Sequence, residues 1–274
     1  MRIMAACLAW LSFLTLPAFA CDLRIQGRPL SVAGYVEMAE PCLARPPAGF
    51  QFDAALEAEF LALVNKERAA EGLALVKLRP ELRAAARFHS LDMAVNGFFG
   101  HSGPDGRHPD ERMAALDRTA LADFSAENVA TISKTGGRMG PGFAVKRLHR
   151  NLMESPGHRA NILHPKATHV AFGVVRTESG VWVTQLFMRV SGTLPEAAPL
   201  RIASADLLRG KPAGLSGWRF VRYDMVSATG EPSPISGARP GGNARLAAYA
   251  TQPGDDPLSY YWMRFPGPAV TITP

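Results

Sequence analysis

The stretch Glu154-Ser155-Pro156-Gly157-His158-Arg159-Ala160-Asn161-Ile162-Leu163 places a histidine directly after a proline-glycine break. Before it, residues 143–154 have a helical pattern that this break ends. After it, residues 169–176 alternate apolar and other side chains, and residues 181–190 are rich in β-branched and aromatic residues, which predicts a hairpin. Helices interleaved with strands and a final antiparallel pair favour a layered α/β sandwich. A doubly wound parallel sheet is disfavoured because no glycine-rich phosphate loop follows a strand.

Three more helices are predicted on the N-terminal side of this stretch. Asp53 can cap a helix that ends at Gly72, with apolar residues at helical spacing. A second helix begins at Pro80, places His89 on its apolar face and ends at Gly97. Residues 109–116 form a short third helix with acidic residues in its first turn.

Two other stretches carry side chains suited to chemistry. In the first, Phe98-Phe99-Gly100-His101-Ser102-Gly103-Pro104-Asp105-Gly106, the histidine lies between a helix end and a tight turn, so it is presented and not packed. In the second, Ser125-Ala126-Glu127-Asn128-Val129-Ala130, a lone carboxylate has small neighbours. We interpret Glu127 as a groove residue and Asn128 as its structural support, while the alternative is that both only hold backbone groups.

At these residues the sequence resembles the CAP superfamily of cysteine-rich secretory proteins, antigen 5 and plant pathogenesis-related proteins, in particular its compact bacterial SCP-like branch. The resemblance covers most of residues 50–190. It also includes shorter matches in the first helix, in the second helix and near the end of the domain, namely Leu63-Val64-Asn65, Arg68, His89-Ser90, Asp92-Met93 and Trp182-Val183-Thr184-Gln185-Leu186-Phe187. The resemblance implies a three-layer α-β-α sandwich with a broad groove that carries two histidines and two acids.

His101, Glu127 and His158 match three of the four groove residues that the family implies. Alignment puts Ser155 at the position of the second acid, and Glu154 stands one residue earlier, where a regular helix turns its side chain about 100° away. Glu154 is therefore a weak candidate. Leu152 stands where the larger family members have a tryptophan.

Two imidazoles and a carboxylate are a partial ligand set for a divalent metal such as zinc, with His101 and His158 as the metal ligands. The function we favour is non-enzymatic binding of an extracellular or cell-envelope ligand, namely a lipid, a wall component or a divalent metal. The resemblance implies groove binding of this kind and no shared reaction. The alternatives are a metal-assisted hydrolase of peptide, ester or cell-wall bonds, with His101, Glu127, His158 and weakly Glu154 as catalytic candidates, and a structural interaction module.

The remaining histidines have ordinary structural interpretations. His89 is predicted to be a hydrogen-bonded core residue, because it faces the apolar side of its helix. His108, His149, His164 and His169 are predicted to be surface or capping residues. Covalent catalysis is disfavoured because no Gly-x-Ser-x-Gly motif is present and the cysteines look structural.

The N-terminal residues predict export. Arg2, an apolar run over residues 3–16 and small residues before a cut after Ala20 make up a signal peptide, and the run is too short for a spanning helix. Of the three cysteines, Cys21 and Cys42 remain after cleavage, and an oxidising compartment predicts a disulfide between them. The alternative, a lipid on Cys21, is disfavoured by the bulky Phe19. The protein is thus expected in the periplasm or outside the cell, and not as a membrane-spanning protein.

Composition bounds the rest of the chain. Its 274 residues are 47% apolar and 20% charged, as in an ordinary globular protein, and the net charge of +6 is spread along the chain, so nucleic acid is not an expected partner. We predict four segments: a signal peptide at 1–20, an irregular N-terminal arm at 21–49, the CAP domain at 50–190, and a small β-rich C-terminal module at 191–274, where proline and glycine turns separate short strands.

Overall fold

A computed structural model describes residues 21–23, 29–138, 140–203, 208–227, 242–256 and 258–274. The predicted signal peptide lies outside the described residues. Within them, no helix has both the length and the apolar composition needed to cross a membrane.

The helices begin and end at the residues that their caps predict. Asp53 accepts a hydrogen bond from the Leu56 N–H at 3.1 Å, and Gly97 ends a helix in the left-handed conformation, with φ +68°. A short 3₁₀ turn at Pro80–Leu82 leads into that helix. The helices are α1 (Val32–Ala44), α2 (Ala54–Ala70), α3 (Arg83–Asn96), α4 (Pro109–Leu116), α5 (Pro141–Glu154) and α6 (Pro156–Ile162).

The strands form two sheets. The strands are β1 (Gln51–Phe52), β2 (Lys77–Leu78), β3 (Ala120–Ser133), β4 (His169–Arg176), β5 (Gly180–Thr193), β6 (Arg201–Ile202), β7 (Arg219–Ser227), β8 (Asn243–Pro253) and β9 (Tyr260–Ile272). Sheet A has the order β1-β4-β5-β3, and β2 pairs with β4 in parallel. Sheet B has the order β6-β9-β8-β7. The predicted hairpin is confirmed as β4–β5, with Val170 opposite Phe187.

Sheet A lies between two layers of helices, which confirms the three-layer α-β-α sandwich. Alternate residues of β4 point to opposite faces, so Phe172 packs with α2, α5 and α6, while Ala171 packs with α3 and α4. Gly173 allows α3 to lie close to β4, since a Cβ there would overlap the α3 backbone at Ala86 and Arg87. The strand β3 is the last in the order of sheet A, so it is an edge strand. A ligand can therefore approach residues on β3 from the edge of the sheet.

The N-terminal arm is not irregular, and that prediction was wrong. Its residues include the 13-residue helix α1, which Ser31 caps and which contains Pro41. Burial of one face of α1, including Tyr35, stabilises the helix in spite of the proline. The predicted disulfide between Cys21 and Cys42 is confirmed. It occupies the sulfur that a lipid on Cys21 would need.

The C-terminal module is present as sheet B and packs directly on the rest of the molecule. Its hydrophobic core includes Leu121 of β3. The Arg118 guanidinium donates to carbonyl groups of Ala198, Pro199 and Ala269, and the Ala33 N–H of α1 donates to Thr271 Oγ1 at 3.0 Å. Sheet B is therefore joined to sheet A through buried contacts and hydrogen bonds.

Candidate functional site

His101 is held by a closed loop between α3 and α4. The Gly103 N–H donates to the Arg107 carbonyl at 3.0 Å, and Gly106 has φ +79°, a conformation that glycine adopts without strain. The ring of His89 in α3 donates from Nε2 to the Gly100 carbonyl at 2.9 Å. These bonds fix the backbone on both sides of His101, whose side chain stays 50% exposed.

Glu127 lies beneath His101 with both carboxylate oxygens occupied. Its Oε1 is 2.8 Å from His101 Nδ1, and its Oε2 accepts from Arg112 Nη2 of α4 at 2.7 Å. The side chains of Glu127 and Arg112 are almost completely buried. Arg112 also donates to the Arg107 carbonyl at 2.8 Å, so it ties the histidine loop to the carboxylate. The three side chains form one chain of hydrogen bonds that runs from buried α4 to the exposed imidazole.

The electrostatics of this cluster favour a charged His101. Burial opposes ionisation of Glu127, but the His101 hydrogen bond and the Arg112 charge outweigh it and hold the Glu127 pKa below its ordinary value. The hydrogen bond to Glu127 raises the pKa of His101. With Nδ1 directed at Glu127, the Nε2 atom of His101 remains for a ligand. His89 behaves differently, since burial and then the Arg112 charge lower its pKa to about 4.

His158 reaches the same edge of sheet A from the opposite layer. It lies in α6, and its backbone carbonyl accepts from Asn128 Nδ2 at 3.1 Å. Asn161 donates to Asn128 Oδ1 at 2.9 Å and to the Glu127 carbonyl at 3.1 Å, which docks α6 on β3. Burial and then the charge of His101 lower the pKa of His158. The two imidazoles are thus within electrostatic range of each other. Asn128 supports the site by hydrogen bonds to α6, as predicted.

The surroundings of Glu127 do not fit it as a third zinc ligand. Catalytic zinc sites have three protein ligands, yet both Glu127 oxygens are already bonded and one of them faces a cation. Glu154, at the end of α5, is exposed, and its side chain makes no hydrogen bond or ion pair with the described residues. Among those residues, no group of three or more His, Cys, Asp or Glu side chains is arranged to hold a metal. Of the described side chains at this site, His101 Nε2 and the His158 ring would hold a metal, with Glu127 orienting His101.

Two features of the structure, one at the site and one away from it, were not apparent from the sequence. Arg112, the cation that neutralises Glu127, is one of many arginines and carries no local signal. His149 was predicted at the surface, and that prediction was wrong: it is buried, with Nε2 3.5 Å from Glu67 Oε1. The helical period of α5 places His149 beside Leu148 and Leu152 on its packed side. His89 is a buried, hydrogen-bonded core histidine, as predicted.

Comparison with known proteins gives the same assignment as the motifs. Residues 61–187 match the sequence profile of the CAP family, which is the cysteine-rich secretory protein family. The chain is 33% identical over 131 residues to the uncharacterized protein YkwD of Bacillus subtilis, across 48% of this chain and 46% of that protein. The chain therefore spans about half the length of this curated relative.

Three solved structures are also similar to part of the chain. An extracellular Bacillus anthracis protein containing an SCP domain has a TM-score of 0.41 and 24% identity, over 49% of this chain and 40% of that one. An outer surface protein of Borrelia burgdorferi has a TM-score of 0.42 and 14% identity, over 51% and 98%. A Staphylococcus aureus cysteine-rich secretory protein has a TM-score of 0.36 and 19% identity, over 49% and 38%.

Proposed function

Because the chain belongs to the bacterial CAP superfamily through its domain at residues 61–187, we propose that it is exported and binds an extracellular or cell-envelope ligand. The binding site is the groove framed by His101, Glu127 and His158 at the β3 edge of sheet A. The ligand carries an anionic or hydrogen-bond-accepting group that meets His101.

The observation that supports this ligand chemistry is the saturation of Glu127. Its negative charge is neutralised by Arg112 and His101 inside the protein, so it does not repel an anion at the surface. The raised pKa of His101 keeps its imidazole protonated to higher pH, and protonated Nε2 is a donor directed away from Glu127. Counting Arg112, Glu127 and a protonated His101, the cluster has a net positive charge.

His158 supplies the complementary group. Its lowered pKa favours the neutral imidazole, which both donates and accepts one hydrogen bond. A ligand group with a charged oxygen and a hydroxyl, such as a phosphate monoester, would then bind between a charged and a neutral imidazole. Phe99, which is exposed two residues before His101, offers apolar surface for an alkyl chain on the same ligand.

The experiment uses the mature chain, residues 21–274, and two small probes that differ in charge. Hexyl phosphate and hexylamine are titrated separately and followed by ¹H–¹⁵N NMR. We expect hexyl phosphate to shift the amides around residues 98–103 and 155–161, and hexylamine to leave them in place. His101→Ala together with His158→Ala should abolish the shifts, whereas the matched control His169→Ala should keep them. Equal shifts with both probes, or shifts that survive the double substitution, would contradict the proposal.

Hydrolysis is the second candidate, and the His101–Glu127 hydrogen bond favours it. A carboxylate that orients an imidazole through Nδ1 leaves Nε2 to accept a proton from water, as in enzymes that use a histidine base. If a metal were held by His101 Nε2 and His158 instead, the metal would activate the water and His101 would not act as the base. The test is turnover of a peptide, an ester and isolated cell wall, with zinc content measured in parallel. Turnover lost with chelator and restored by zinc would establish the hydrolase.

A further inference from the structure

A cavity separate from the groove opens at the end of sheet B, beside the β8–β9 hairpin. Its volume is about 310 Å³, a size that suits a small-molecule site. The residues around it come from all three long strands of sheet B or the segment leading into them: Gly217, Arg219, Thr251, Gln252, Pro253 and Tyr260.

Thr251 gives this cavity an unused hydrogen-bonding group. The residue is 3% exposed, and its Oγ1 atom is buried without a hydrogen-bond partner in the described part of the chain. A buried hydroxyl that makes no hydrogen bond costs free energy, so proteins rarely leave one unless a ligand or water uses it. Thr251 lines the cavity, so a small shift of a neighbouring side chain would open its Oγ1 to a ligand there.

Two exposed aromatic rings stand beside Thr251 on the same face of the sheet. Tyr260 is 54% exposed and Trp262 is 58% exposed. They are two residues apart on β9, so both point to one face, about 7 Å from each other. Thr251 pairs with Trp262 on one side and with Arg219 on the other, which places a guanidinium, a hydroxyl and an indole in one cross-strand row.

We propose that this cavity and its aromatic row bind an acidic glycan, a chain of sugars that carry carboxylates. The flat C–H faces of the sugars lie on the Tyr260 and Trp262 rings, and a sugar hydroxyl bonds to Thr251 Oγ1. Arg219 is exposed, and its guanidinium has no ion-pair or hydrogen-bond partner among the residues described, so it is available for a carboxylate. The net charge of +6 favours the approach of an anionic polymer.

The charges at the hairpin turn favour a glycan over a lipid surface. Asp255 and Asp256 are exposed in the turn next to the aromatic rings. Inserting this tip into an anionic bilayer would bring both carboxylates against the headgroups, whereas a glycan that lies on the sheet face has its carboxylate at Arg219 on β7, outside the turn. In the protein they are already used locally: Tyr261 donates to Asp255 at 2.5 Å, and Asp256 accepts from the Leu258 N–H at 2.9 Å. This proposal does not depend on the function of the histidine groove.

The experiment measures binding of the mature chain to three carboxylated polysaccharides: polygalacturonate, alginate and hyaluronate. Neutral dextran and phosphatidylglycerol vesicles are the comparison probes. We expect at least one carboxylated polysaccharide to bind tenfold or more tightly than dextran. Trp262→Ala should weaken that binding at least tenfold, and Arg219→Gln should remove the preference over dextran. The matched control Phe143→Ala, an exposed aromatic on α5, should bind like the parent.

The contradicting outcomes are equally specific. Failure of all three carboxylated polysaccharides to bind would overturn the proposal, as would binding that Trp262→Ala leaves unchanged. Binding to vesicles that Trp262→Ala removes, without polysaccharide binding, would assign the surface to lipid instead. Because Trp262 and Arg219 are exposed, both variants should unfold at the same temperature as the parent, which thermal unfolding checks.

Discussion

The two sheets of this molecule each bury a threonine, and the two hydroxyl groups differ in their hydrogen bonding. In sheet A, Thr184 is fully buried, and its hydroxyl is 2.8 Å from the Ser90 hydroxyl of α3. In sheet B, Thr251 is nearly as buried, and its hydroxyl has no partner within the described residues. Helices cover both faces of sheet A, whereas the tip of sheet B exposes aromatic rings. The comparison indicates that sheet A is a scaffold that holds a site at its edge, and that sheet B presents its own face.

The largest effect is expected from Arg112→Met, which removes the cation beside Glu127. A buried carboxylate that loses its partner should destabilise the protein by about 4 kcal/mol. The measurement is the free energy of unfolding in urea. The double variant Arg112→Met with Glu127→Gln removes the uncompensated charge and should recover at least half of the loss. If Arg112→Met alone lowers the free energy of unfolding by less than about 1 kcal/mol, the Arg112–Glu127 pair is not central to the site at sheet A.

Gly173→Ala should have the next largest effect, because the new methyl group meets the α3 backbone at Ala86. We expect a loss of about 3 kcal/mol, as for overpacking that the structure cannot relieve. Gly142→Ala is the matched control, since a Cβ there meets nothing within 4 Å. The free energies of unfolding of both variants in urea test whether α3 packs on sheet A without space for a methyl group. Equal stability of the two variants would show that it does not.

One substitution made in both sheets gives the smallest effects and the sharpest contrast. Thr184→Val breaks a buried hydrogen bond with Ser90 and should cost about 1 to 2 kcal/mol. Thr251→Val removes a buried hydroxyl that has no partner in the described structure, so it should leave stability unchanged or raise it by about 1 kcal/mol. Thermal unfolding of the two variants measures both values. If Thr251→Val destabilises the protein as much as Thr184→Val, the Thr251 hydroxyl is already hydrogen-bonded. That result would contradict the proposal that this hydroxyl is free to bond to a ligand.

Much of the fold could be predicted because its signals are local. Asp53, Gly72 and Gly97 mark helix ends, and the alternation over residues 169–176 marks a strand. The strand β3 was not predicted, although it carries Glu127. Its buried positions include the polar Glu127 and Asn128, so an apolar period is absent, and register shifts near Ala122 interrupt it further.

Only part of the candidate site could be predicted from the sequence. The motifs selected His101, Glu127 and His158, but the cation that balances Glu127 comes from α4 and depends on tertiary packing. The N-terminal arm shows the same limit. Proline and glycine predicted an irregular segment, whereas burial of the α1 face against Phe88 and Leu91 stabilises a helix there. Both the Arg112–Glu127 pair and the helix α1 depend on contacts between segments that are distant in the sequence.

Titration of the two groove histidines by NMR tests the central claim most directly. In the mature protein, the account predicts a His101 pKa above the ordinary histidine value and a His158 pKa below it. Since the folded pKa of His101 is raised, its pairing stabilises the protein fully below the ordinary pKa, and this contribution is lost as pH rises through the folded pKa. Glu127→Gln should lower the His101 pKa. A His101 that titrates below His158, or that does not respond to Glu127→Gln, would contradict the account.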